Sequence, residues 1–116
     1  MRHLSVIKKE IQECIDTCRS CHETCIETMY YCLTKGGVFC NSDQIGILLD
    51  CGEICETSAN FMSRNSMIHS KVCGLCAQIC DICAEECSDI EDDQMKACAK
   101  ECSKCAQSCK KMAATG

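Results

Sequence analysis

Apolar and sulfur-bearing positions recur along this chain at alternating intervals of three and four residues, the signature of an amphipathic helix facing a core. The first stretch places Leu4, Ile7, Ile11, Cys14, Cys18, Cys21, Cys25 and Cys32 on one stripe, with Lys8, Lys9, Glu10 and Glu13 off it. It predicts a helix over 4–34, stopped by the glycines of "KGG" at 35–37. A second helix is predicted over 42–63, with Asn41 or Ser42 as cap, Gln44 completing a capping box, and a stripe of Leu48, Cys51, Cys55, Ser58 or Ala59, and Met62. After the turn "SRNS" a third helix is expected over 66–88, its stripe running His69, Cys73, Cys76, Cys80, Cys83, Cys87. The acidic connection "DIEDD" suits the N-terminus of a fourth helix over 92–112, with Met95, Cys98, Cys102, Cys105, Cys109 and Met112 on its inner face. The tail "AATG" is expected to fray.

Short connections between amphipathic helices imply antiparallel neighbours. The predicted fold is all-α, a single antiparallel up-down-up-down four-helix bundle over 1–116 with a cysteine-lined core. Composition sharpens this picture. The chain has 116 residues, 17 Cys, no Pro, no Trp, and only 3% aromatic residues. Cysteine must therefore supply much of the buried surface, which a free thiol can do as a small hydrophobe. Packing alone does not account for it, because Cys buries less than Leu or Ile and is oxidisable. The net charge of −5 and the lack of a basic patch argue against nucleic acid. No apolar run reaches the length of a membrane span. The N-terminal stretch shows no apolar signal segment, so the expected compartment is the cytosol, where thiols stay reduced.

Seven pairs have Cys-x-x-x-Cys spacing: 14/18, 21/25, 51/55, 76/80, 83/87, 98/102 and 105/109. Residues four apart share a helix face, so each pair can clamp one ion from a single helix. Cys32, Cys40 and Cys73 stand outside the pairs. Soft thiolates select Cu(I), Zn(II) or iron–sulfur clusters. Charge ranks them. A zinc held by four thiolates leaves two negative charges in a poorly hydrated core, whereas Cu(I) shared among thiolates approaches neutrality. Cu(I) also accepts two-coordinate sites, while structural zinc wants a closed tetrahedron. Iron–sulfur ligation commonly uses loops and a Cys-Pro ending, absent here. The remaining alternatives are a zinc-binding bundle and a disulfide-stapled or thiol-redox structural protein. The odd number of cysteines would leave one thiol over in a fully paired monomer. No cysteine has a His and acid in a nucleophilic constellation, so no enzyme activity is read.

The segments "VCGLCAQICDICAEEC" and "CAKECSKCAQSCKKM" closely resemble the four-helix-bundle copper storage proteins, in their cytosolic bacterial branch. The resemblance implies a high-capacity Cu(I) store that buffers cytosolic copper. Multiple ions per chain would be held by the seven cysteine pairs, in a homo-oligomer, commonly a tetramer. A copper chaperone or chelator would be the exchange partner. The chain departs from that branch in its third connection, where "DIEDDQM" offers carboxylates and Met95 in place of histidines. One bundle end should gather Leu4, Ile7, Ile11, Phe61, Met62, Ile68, His69 and Met112 as an apolar plug. The other should gather Cys32, Cys40, Cys87 and Met95, and is expected to admit copper. His69 extends the third stripe in register and is a further candidate ligand. His22 is expected at the surface. Met29, Met67 and the tyrosines are expected to pack.

Overall fold

The computed structural model describes residues 5–115. Four long helices, α1 (Ser5–Lys35), α2 (Ser42–Ser63), α3 (His69–Ser88) and α4 (Asp93–Thr115), follow one another with a short 3-10 turn, Gly37–Cys40, between the first two. Each helix packs against two neighbours in a closed ring: α1 on α2 and α4, and α3 on α2 and α4. Paired residues run in opposite directions throughout. Cys18 meets Cys109 while Cys32 meets Met95, and Cys51 meets Cys80 while Cys55 meets Cys76. The result is an up-down-up-down bundle measuring 51 × 20 × 19 Å.

The helix limits follow from local chemistry. Gly36 and Gly37 take φ of 71° and 58°, a region that favours glycine, and the Gly36 N–H returns to the Cys32 carbonyl. The 3-10 turn that follows was not anticipated from the sequence. The Asn41 side chain accepts from the Gln44 N–H at 2.8 Å and caps α2. Asp92 caps α4, its Oδ2 accepting from the backbone of Gln94 and Met95.

Two expected limits are corrected. The third helix begins at His69 and not at 66. Asn65 adopts φ of 55°, and Ser66 uses its hydroxyl and carbonyl to hold Ile68 and His69 in a turn, which consumes those positions. The tail also does not fray where expected: α4 continues to Thr115, because Ala113 and Ala114 are strong helix formers and no breaker precedes Gly116.

The core is made of sulfur. Sixteen of the seventeen cysteines are buried, and around them lie Leu48, Met62, Met95, Met112 and a few alanines. The plug end forms in part. Met62 and Met112 are buried and Ile11 packs against the core. Ile68 is exposed, since it precedes the first turn of α3 and points away from the stripe. Leu4 and the side chain of Ile7 lie outside the described residues. Two residues expected to pack do not: Met67 is 96% exposed in the α2–α3 turn, and Tyr30 is 73% exposed on α1. Both lie off the inward stripe of their segment.

Candidate metal centre

The thiol stripes of all four helices converge on the bundle axis. Three groups of four sulfurs form, each with all its Sγ atoms within 4.8 Å of one another: Cys18/Cys76/Cys105/Cys109, Cys21/Cys55/Cys80/Cys105, and Cys21/Cys25/Cys51/Cys102. All members are buried. Cys105 belongs to the first and second groups, and Cys21 to the second and third. The groups are therefore links in one chain along the axis.

Direct contacts knit the links together. Cys18 lies 3.5 Å from Cys109 and 3.8 Å from Cys105. Cys55 lies 3.6 Å from Cys80 and 3.8 Å from both Cys105 and Cys76. Cys102 lies 3.8 Å from Cys25 and 3.9 Å from Cys21 and Cys51. Most of these contacts cross between helices. Of the Cys-x-x-x-Cys pairs, Cys76/Cys80 touches directly at 3.8 Å, and 21/25 and 105/109 fall inside shared groups. The expectation of clamps drawn from single helices is thus sharpened: the natural grouping joins a pair on one helix to thiols on its neighbours.

The remaining candidates extend the row at both ends. Toward the α1–α2 connection, Cys83, Cys87 and Cys98 are buried; Cys83 and Cys98 interact with Cys25 and Cys102, and Cys87 interacts with Cys83 and Cys98. Beyond them Cys32 donates to the Met95 thioether at 3.5 Å, with both residues at 0% exposure. At the opposite end Cys14 and Cys73 are buried, and Cys73 meets the Ser58 hydroxyl at 3.4 Å. Two candidates stand apart. Cys40 is exposed on the 3-10 turn. His69 is half-buried, and its Nδ1 donates to the Ser66 carbonyl at 2.9 Å, while Nε2 has no hydrogen-bond partner among the described residues. His22, half-buried rather than fully exposed, donates from Nδ1 to the Gly52 carbonyl at 2.7 Å across the α1–α2 seam.

Sequence reasoning missed two polar residues in this core, and the partner of a third. Gln44 was read only as a capping residue, yet it is 2% exposed and donates from Nε2 to Cys87 Sγ at 3.5 Å. Thr28 is fully buried and accepts from Gln94 at 3.0 Å. Ser58 had been placed on the stripe without a partner. A signal existed: 25/28/32, 44/48/51 and 55/58/62 all continue the same alternation of three and four.

The electrostatics describe a lattice that cannot lose all its protons unaided. The hydrogen bond between Cys21 and Cys102 draws the Cys21 thiol down and pushes Cys102 up. Hydrogen bonds from Cys105, then Cys109 and Cys14, hold Cys18 down to about 6. Cys87 is pulled down by Cys83 but pushed up to about 12 by Cys98 and burial. One thiolate is stabilised by neighbours that must keep their protons. A row of cations replacing those protons removes the conflict.

Residues 7–114 match the family model for the copper storage protein family. No curated protein matches the chain. Among solved structures, a structural-genomics protein from Nitrosospira multiformis is 41% identical, with a TM-score of 0.89 over 94% of this chain and 99% of that one. The Cu(I)-bound copper storage protein BsCsp3 of Bacillus subtilis is 33% identical, with a TM-score of 0.86 over 90% of this chain and 98% of that one. A cytosolic copper storage protein from Streptomyces lividans, solved with five coppers, is 26% identical, with a TM-score of 0.88 over 95% and 97%.

Proposed function

The chain belongs to the copper storage protein family, and we propose that it stores and buffers multiple Cu(I) ions in the cytosol along the thiol row of its core. The observation that carries this reading is the sharing of Cys21 and Cys105 between consecutive four-sulfur groups. Three separate tetrahedral zinc sites would need twelve thiolates of their own, and the three groups contain only ten distinct cysteines. Bridging thiolates suit a continuous string of Cu(I), in which one positive charge per ion offsets the thiolate charge in a dry core. Binding exchanges a thiol proton for Cu(I) with no change in oxidation state.

The ligands in this reading are the seven cysteine pairs together with Cys73 and Cys32. His69, through Nε2, and Cys40 are peripheral candidates. Placement in the cytosol is supported by the cytosolic relative from Streptomyces lividans, and no helix is long and apolar enough to cross a membrane. Exposed Ile26, Leu33, Leu49, Leu75 and Ile82 offer apolar surface for a homo-oligomer. A copper chaperone or small chelator would deliver the metal.

The test is an anaerobic titration of the fully reduced protein with Cu(I) and, separately, Zn(II), each against a competing chelator. Many Cu(I) ions per chain should bind, with far weaker retention of zinc. Saturation at one or two Cu(I) per chain overturns the storage reading.

A further inference from the structure

Cys32 and Met95 form a pair unlike any other in the core. Both are fully buried, their sulfurs are 3.5 Å apart, and they join α1 to the first turn of α4. Among the described residues every other close sulfur pair in the row is thiol to thiol. This one is thiol to thioether. It lies at the end of the row nearest the exposed Cys40 turn and the Gly36–Gly37 bend. One turn further along α4 is Cys98, whose neighbours are Cys102, Cys25, Cys83 and Cys87. The pair therefore sits between the α1–α2 connection and the first thiol-only layer.

We propose that Cys32 and Met95 form a distinct Cu(I) site, through which ions exchange between solvent-side carriers and the thiol row. The proposal rests on the storage reading above and adds a division of labour to it. Cu(I) binding there displaces one proton from Cys32 and leaves the metal as Cu(I). A monovalent cation, one thiolate and one neutral thioether sum to zero charge, so the occupied site carries no stranded charge in its buried position. A pair of thiolates on one Cu(I) would carry a net negative charge and hold the ion more strongly. The thioether keeps the site selective for a soft ion while weakening its grip. An ion then passes onward by ligand exchange, in which an incoming thiolate of the next layer replaces the thioether. Met95 also cannot form a disulfide with Cys32, so the position cannot be closed by a bond between its two sulfurs.

The surroundings hold the pair in place. Asp92 caps the turn that carries Met95 and accepts from the Tyr31 hydroxyl at 2.8 Å, while Gln94 donates to Thr28. These bonds tie the start of α4 to α1 at Thr28 and Tyr31, in the turn that precedes Cys32.

The test uses full-length reduced protein and the Cu(I)–bicinchoninate complex as donor, with excess bicinchoninate as acceptor for release. In Met95→Leu, which nearly conserves side-chain volume, uptake and release should both slow by about tenfold. Met112→Leu, at the opposite end of the core, should match the wild type. Met95→Cys should take up copper but release it more slowly than the wild type, because a second thiolate replaces the thioether. Circular dichroism of each apo variant checks the fold, and Cys32→Ala provides a second removal of the site should Met95→Leu not fold. Wild-type rates in whichever of Met95→Leu and Cys32→Ala is folded overturn the proposal, as does equal slowing in Met112→Leu. Saturation of the wild type at one or two ions would overturn the storage reading, and is distinguishable because it needs no variant.

Discussion

Helices α2 and α3 pack against each other, share the same alternation of three and four, and differ in what they place on it. The inner face of α3 carries Cys73, Cys76, Cys80, Cys83 and Cys87. The inner face of α2 carries Gln44, Leu48, Cys51, Cys55, Ser58 and Met62. Both faces are buried and both complete the bundle. The spacing alone therefore makes the fold, and the identity of the residue on each position decides whether that layer can hold metal. On α2, sulfur is concentrated at the middle, where Cys51 and Cys55 enter two of the three four-sulfur groups. Leu48 fills the layer beside them. Gln44 and Ser58 donate to or meet α3 thiols, satisfying Cys87 and Cys73 with a proton partner of their own.

The largest effect is expected at the shared thiols. Replacing Cys21 and Cys105 together by Ala removes a ligand from all three groups, so the fall in Cu(I) capacity should exceed the two ligands deleted. Replacing Cys73 should remove at most one ion. Equal losses per cysteine, measured by anaerobic titration, would break the distinction between shared and terminal sulfur.

Next comes the packing contrast. Leu48→Ala should destabilise the apo protein by about 2–5 kcal/mol, whereas Cys83→Ala on α3 removes far less volume and should cost about 1 kcal/mol. Denaturant unfolding of the copper-free protein measures both. Copper capacity should move the other way, falling in Cys83→Ala and holding in folded Leu48→Ala.

A smaller and opposite change is expected from Ser58→Cys. It places a third thiol on α2 beside Cys73, and capacity should rise by about one Cu(I) per chain if thiol-for-hydroxyl exchange is what limits that layer. Unchanged capacity would mean that the end layer is closed to metal for another reason.

The smallest effect concerns the mouth. Asp92 is held below the ordinary carboxylate range, first by the Tyr31 hydroxyl and then by the Met95 and Gln94 N–H groups, against the opposing effect of burial. A depressed carboxyl stabilises the fold above its unfolded value of about 3.9, and that contribution is lost as pH falls through its lower folded value. Tyr31 is shifted upward by the same bond, so its contribution is present below about pH 10 and lost above its raised folded value. Asp92→Asn should lower the apo melting temperature slightly at neutral pH and flatten its decline on acidification. A melting profile parallel to the wild type would show that the Tyr31–Asp92 bond adds nothing to stability.

The bundle, its four helices and its sulfur core were legible from periodicity, because sixteen cysteines share the stripe with few large apolar competitors. The family was legible from "VCGLCAQICDICAEEC" and "CAKECSKCAQSCKKM", whose rows reappear as the α3 and α4 walls. What the sequence did not reveal is which sulfurs meet across helices. That depends on how the helices are staggered, and no single stripe encodes it. Gln44 escaped notice because one residue does two jobs: its backbone completes the α2 cap while its side chain turns inward to Cys87. Tyr31 was expected only to pack, yet its hydroxyl finds a carboxylate sixty-one residues away. Cys40 was grouped with the mouth thiols, and the 3-10 turn instead carries it to the surface.

The slender outline of the bundle, 51 Å long and about 20 Å across, has a consequence for capacity. The sulfur groups follow one another along the long axis, so inventory grows with length and not with girth. Each added heptad lengthens every helix by about 10 Å and sets two more inward positions on each wall. Evolution can therefore tune such a vault in small increments, by extending the rods or by exchanging serine, leucine and threonine for cysteine, without redrawing its cross-section.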